Sequence, residues 1–268
     1  METLKSKFGL KYTKHISVVG GFCMLLLPMV VLADSCTYEE ELNFTLPTSA
    51  IAQLDLKAGA GSLYITGEAN TDEISVVAHV CSSRKSGLEG MGVEHVVRGD
   101  TQYLWTEIPE QRGVFWTSNN TYIDLEIVIP EGFDLRVQDG SGVIDIRGAG
   151  NLALDDGSGD ARLFGITGDV KVDDGSGNLT IQEVAGNVSV DDGSGSLLIE
   201  QVQGSVDVDD GSGRLKIHNV LGVVTIRDGS GDIDVREVGE ELRIVEAGSG
   251  NVRVDGRRGY PEVSSARL

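Results

Sequence analysis

Basic residues, aromatics, proline and cysteine are all scarce in this chain. Lys and Arg number 22 against 42 Asp and Glu, which leaves a formal charge of −20. A surface of that sign repels phosphate backbones and anionic lipid, so nucleic acid is excluded as a partner and cations are favoured. Aromatics are 5% of the residues and prolines number 5, which with abundant glycine points to β structure. Long hydrophobic runs are absent beyond residue 32, and no extended 3.6-residue periodicity appears there, which argues against spanning helices and helical bundles alike. Disorder is also excluded, because 40% of the residues are hydrophobic. The residue in excess is glycine, at 36 in 268.

The N-terminus has the form of an export signal. Lys5, Lys7, Lys11 and Lys14 precede an apolar run at 16–32, broken by Gly20, Gly21 and Pro28. Val31-Leu32-Ala33 then offers small residues where a signal peptidase reads, so residues 1–33 are expected to be a signal peptide cleaved after Ala33. An uncleaved anchor is the alternative. The run is short for a spanning helix, at roughly 17 residues, and Pro28 weakens it. Asp34, close before Cys36, argues against lipidation. Cleavage removes four lysines and one glutamate and moves the charge from −20 to −23. No membrane-spanning segment is expected to remain. Cys23 leaves with the signal, and Cys36 and Cys81 are left as an even pair in an oxidising compartment, where a disulfide is expected. Two free thiols are the alternative.

The rest of the chain is organised by a repeat. Gly-Ser-Gly recurs with its serine at 141, 158, 176, 194, 212, 230 and 249, at separations of 17 to 19 residues. A fixed period of this kind means stacked, equivalent coils. Within each coil short apolar alternations mark two strands with one buried face. One apolar column reads Ile144, Ala161, Leu179, Leu197, Leu215, Ile233, Val252; another reads Leu154, Val172, Val190, Val208, Ile226, Ile244. Two turns separate the strands, one at Asp-Gly-Ser-Gly and one at a second glycine column, Gly150, Gly168, Gly186, Gly204 and Gly222. Glycine suits corners that need positive φ or close backbone approach. The fold class is therefore all-β: a single-stranded β-helix, or β-solenoid, of about 18 residues per coil. Seven coils at ~4.8 Å each make a rod of roughly 30 Å.

The expected organisation follows. Residues 34–130 form an irregular β segment and cap with degenerate coils, such as Ala58-Gly59-Ala60-Gly61-Ser62. Residues 131–256 form the regular solenoid, and 257–268 a C-terminal cap. Tyr103, Trp105, Phe115, Trp116 and Tyr122 cluster before the regular repeats. They are read as a cap over the open end of the stack, or its small core. The functional alternative is a partner-binding patch at Trp105, Phe115 and Trp116.

The exported N-terminus, Ala58-Gly59-Ala60-Gly61-Ser62-Leu63-Tyr64-Ile65, Ile129-Pro130-Glu131-Gly132-Phe133 and the repeated Gly-Ser-Gly-x-Leu-x-Ile together resemble the bacterial putative-adhesin, β-strand-repeat family. The resemblance spans roughly residues 50–256. It implies a single-stranded β-helix in an envelope or surface protein without an assigned catalytic activity, and it brings no functional residues with it.

Four Asp-Asp pairs stack before the Gly-Ser-Gly turns: Asp155 and Asp156, Asp173 and Asp174, Asp191 and Asp192, Asp209 and Asp210. Like charges in register destabilise a sheet. Turn hydrogen bonds, raised carboxyl pKa values or bound cations would each relieve them. Turn chemistry is the plainer reading. Ca²⁺ held by these eight carboxylates is the alternative, although the aspartates precede the glycines, unlike those of calcium-binding β-rolls. No other cofactor is expected. The serines are read as turn residues, because nothing supplies a base to each of them. His218 is placed on an outward strand position. The function expected is a non-catalytic, exported envelope or surface solenoid with a structural or adhesin-like role, periplasmic or at the cell surface, whose partner is an envelope protein or a polysaccharide. A Ca²⁺-dependent scaffold and a carbohydrate-active β-helix enzyme are the alternatives.

Overall fold

The computed structural model describes residues 36–109 and 121–255, together with the backbone of short strands at 3–5, 11–13, 15–17 and 257–258. The apolar run at 18–32, the cleavage position after Ala33, the aromatics Phe115 and Trp116, and residues 259–268 lie outside the described residues.

Two β-sheets face each other across one aliphatic core. The strand after each Gly-Ser-Gly belongs to the first sheet: Gly142–Arg147, Gly159–Ile166, Gly177–Val184, Gly195–Val202, Gly213–Val220, the second half of Val224–Val238, and Val252–Val254. The strand before each belongs to the second: Asp134–Asp139, Leu152–Asp156, Val170–Asp174, Val188–Asp192, Val206–Asp210, the first half of Val224–Val238, and Leu242–Ser249. All these neighbours are parallel, and the register is one coil. Leu179 lies beside Leu197, and Val172 beside Val190. Seven coils thus stack as the repeat predicts. Leu179, Ile181, Leu197, Ile199, Leu215 and Ile217 are all fully buried.

The stacking order departs from the chain order at the N-terminal end. Gln53–Lys57 and Leu63–Glu68 form a degenerate coil, as read from Ala58-Gly59-Ala60-Gly61-Ser62, and it lies directly against the first regular coil. On its other side sits a further coil built from Thr101–Glu107 and Thr121–Pro130, which comes later in the chain. Beyond that coil the strands turn antiparallel. Glu73–Ser82 pairs with Thr121–Pro130 and with Tyr38–Pro47, and Gly92–Arg98 pairs with Thr101–Glu107. These three strands and the 3-10 turn Lys85–Leu88 close that end of the stack.

Among the described residues the interior of this end is mainly aliphatic, with Phe44 packed against it partly buried. Ile74, Val76, Ala78, Leu104, Ile123 and Leu125 fill it. Tyr103 and Trp105 alternate with the buried Gln102 and Leu104, so they fall on the outer face, half-buried. Arg98 lies over the Tyr103 ring, and Trp105 Nε1 donates to Glu107. Strand alternation decides the aromatic positions here, and aliphatic side chains already fill the space between the sheets.

Cys36 and Cys81 form a disulfide that ties the entry of Tyr38–Pro47 to its antiparallel neighbour, with Cα atoms 5.6 Å apart. His15–Ser17 runs antiparallel along Glu39–Glu41. At the far end Arg257–Arg258 pairs antiparallel with Val254 and Arg253. The disulfide closes a sequence separation of 45 residues. By the loop-entropy argument, the double variant Cys36→Ala/Cys81→Ala loses about 2–4 kcal/mol. Thermal melts should show this as a drop of roughly 5–10 °C, and reduction of the wild type should give the same shift.

Candidate functional site

The Asp-Gly-Ser-Gly corner is the most repeated chemical feature of the chain. Strand alternation governs it. In Val170–Asp174 the burial pattern runs in, out, in, out, in. Asp173 therefore projects to solvent with Lys171, and Asp174 turns inward with Val170 and Val172. The same split recurs at every pair. Asp155, Asp173, Asp191 and Asp209 are exposed; Asp156, Asp174, Asp192 and Asp210 are only 1–2% exposed. The two carboxylates of a pair thus lie on opposite faces of one sheet and do not converge on a point. The eight candidate residues make two separate columns. Among the described residues no cluster of three or more His, Cys, Asp or Glu side chains is arranged to hold a metal ion.

The inward carboxylates serve the turns. Ser158 N–H donates to Asp156 Oδ1 at 3.1 Å, Ser176 N–H to Asp174 at 3.0 Å, and Ser194 N–H to Asp192 at 2.9 Å. These are side chain-to-backbone turns two residues long. Burial pushes the inward carboxyls up, Asp192 to about 7 and Asp174 to about 6, and their stacked neighbours push the same way. Backbone links reinforce the corner: Gly193 N–H donates to the Asp174 carbonyl, and Gly177 N–H to the Ser194 carbonyl. The serines are turn residues.

Close approach explains the glycines. At Gly177, φ is +146°, and a Cβ would fall on the carbonyl oxygen of Gly159 in the preceding coil. At the second corner the reason is different. Gly186 has no positive φ, but a Cβ there would strike the Gly168 carbonyl. The left-handed residues of that corner come three positions earlier: Gly165, Glu183, Gln201, Asn219 and Glu237, with φ between 56° and 67°.

A second ladder runs along this corner, and sequence reasoning missed it. Asn151 N–H donates to Asp134, Asp169 N–H to Asn151, Asn187 N–H to Asp169, Ser205 N–H to Asn187, and Val223 N–H to Ser205 Oγ. Each side chain accepts the backbone N–H of the next coil. The signal was a polar Asn/Asp/Ser column just after the second glycines, at 151, 169, 187 and 205. Asn187→Ala removes one acceptor from this chain of bonds. The expected cost is about 1 kcal/mol, a fall in melting temperature of roughly 2–4 °C.

Beside this ladder runs an open groove of about 600 Å³, lined in part by Asp169, Lys171, Asn187, Ser189, Ser205 and Asp207. On the first sheet's outer face His218 is half-buried and faces Glu200 at 3.4 Å, which also accepts from Gln182 at 2.8 Å. Trp105 is the described member of the aromatic patch, and it is half-buried against its own sheet.

Two solved structures match this chain. One is a "putative cell adhesion protein" from Clostridium sporogenes, 14% identical, covering 81% of this chain and 98% of its own, with a TM-score of 0.35. The other is a "putative adhesin" from Bacteroides fragilis, also 14% identical, covering 80% and 96%, with a TM-score of 0.33. The curated proteins contain no match to this chain. The sequence model of one family, Toastrack DUF4097, matches residues 83–260. That span takes in part of the cap and all seven regular coils, and on it the chain belongs to the Toastrack DUF4097 family.

Proposed function

We propose that the protein is a non-catalytic solenoid of the bacterial envelope or cell surface that presents its outer faces to a partner. The observation that carries this reading is the shape of the regular coils. Two residues separate Asp174 from Gly177, and three separate Val184 from Val188, so both sheets present flat, in-register faces. Outward positions vary from coil to coil, as in Arg162, Thr180, Leu198, Lys216 and Asp234. Such a surface suits one specific partner better than a periodic lattice. The groove along the Asn187 ladder, where Val170, Val188 and Val206 lie beside polar side chains, is where we place an extended partner, a polysaccharide or an envelope protein segment. The Cys36–Cys81 disulfide favours an oxidising, exported location.

The test is twofold. Cell fractionation should find the protein in the periplasmic or surface fraction. Purified protein should bind an envelope polysaccharide or protein fraction, and Lys171→Glu/Asp207→Lys in the groove should weaken that binding at least tenfold. Release of sugar products from acidic polysaccharides would overturn the non-catalytic reading. A melting temperature that rises and saturates with Ca²⁺ would replace it with a cation-dependent scaffold.

A further inference from the structure

Six aspartates share one inward column: Asp139, Asp156, Asp174, Asp192, Asp210 and Asp228, each 1–6% exposed. Parallel pairing stacks every one on the next, at one strand spacing, ~4.8 Å. In Asp156, Asp174 and Asp192, Oδ1 accepts a turn N–H. Their Oδ2 atoms are buried and have no partner. A buried acceptor without a donor is costly, and stacked carboxylates out of water cannot all keep their charge. Among the described residues no counter-charge acts on them. The charged groups acting on the column are its own members and the outward Asp155, Asp173, Asp191 and Asp209. Arg227 lies on the outward face beside Asp228. On the same strands the inward neighbours are Val172, Val190, Val208 and Ile226.

We propose that this column is a proton-binding site built along the axis of the solenoid, in which the acid O–H of one aspartate donates to the unpartnered oxygen of the aspartate in the adjacent coil. One proton per contact satisfies an orphan acceptor and removes a like-charge repulsion. The turn bonds to Oδ1 are kept, because an acid and a carboxylate both accept there. Burial and the neighbouring aspartates act in the same direction, with Asp139 and Asp192 at about 7 and Asp174 and Asp210 at about 6. Protons in such a column belong to the group rather than to single residues. The site rests on the fold alone and does not depend on the partner proposed above.

Potentiometric titration between pH 8 and pH 5 tests this, on the wild type and on Asp174→Asn/Asp192→Asn/Asp210→Asn. Asn keeps the Oδ1 acceptor and cannot take up a proton. The wild type should bind about three more protons than the triple variant over this range, one for each carboxyl removed. Should the triple variant fail to fold, Asp192→Asn alone should bind about one proton fewer. That single variant should melt several degrees higher than wild type at pH 8 and no higher at pH 5. Equal proton uptake by wild type and a folded variant, or a stability difference independent of pH, would overturn the proposal.

Discussion

Gly177→Ala should lower the melting temperature by roughly 10 °C or prevent folding. The methyl group has nowhere to go, because its position is taken by the Gly159 carbonyl oxygen of the neighbouring coil. That carbonyl is part of the rigid coil-to-coil stack and cannot move without opening it. The backbone at φ +146° also disfavours any L side chain. Together the two effects should cost about 3–5 kcal/mol, and a domain of this size loses roughly 2–4 °C per kcal/mol. Gly165, later in the same coil as Gly159, provides the control. Its φ is +67°, the atom nearest to a Cβ is 3.9 Å away, and the equivalent positions in later coils are Glu183, Gln201 and Asn219. Gly165→Asn should therefore leave the melting temperature within a few degrees of wild type. Equal losses at the two glycines would mean that left-handed backbone, and not the stacking of corners, sets the requirement.

The wild type should become less stable as pH rises from about 5 to 8. Asp139, Asp174, Asp192 and Asp210 hold protons in the fold up to about 6 or 7, whereas in the unfolded chain they release them near 3.8. Between those values the native state binds more protons than the unfolded state, so stability falls with rising pH and levels off above the folded values. One group displaced as far as Asp192 is worth up to about 4 kcal/mol. For the column, a fall of about 10 °C or more is expected across this window. On the acid side the sign reverses for surface pairs. Arg147 holds Asp145 low, and Arg236 holds Asp234 low. Their contribution is present above the ordinary carboxylate range and is lost as pH falls below it. Maximum stability should therefore lie at mildly acidic pH.

The solenoid was legible because its signal is local and repeated. The columns through Leu179 and Val172 state both the strands and their register. The order of stacking was not legible. Gln53–Lys57 lies between Thr101–Glu107 and Asp134–Asp139 through pairings distant in sequence, and no repeat in the cap records them. The left-handed corner was hidden because Glu183, Gln201 and Glu237 occupy it, residues that seldom adopt positive φ. Gly148 and Gly165 mark the position in the earliest coils. The aspartate columns were legible in principle. The alternation that buries Val170 and Val172 also buries Asp174 and exposes Asp173, so treating Asp-Asp as one acidic unit lost that distinction. The Asn187 ladder was equally visible as a column, but its meaning needs the neighbouring coil, whose backbone N–H it accepts.

The central claim is that the second aspartate of each pair is inward and holds its proton. A carbon-13 titration of the aspartate carboxyl groups, with assignments from the single Asp→Asn variants, measures this. Asp139, Asp174, Asp192 and Asp210 should titrate with apparent midpoints near 6 to 7. A spectrum in which every aspartate has finished titrating by pH 5 would contradict it.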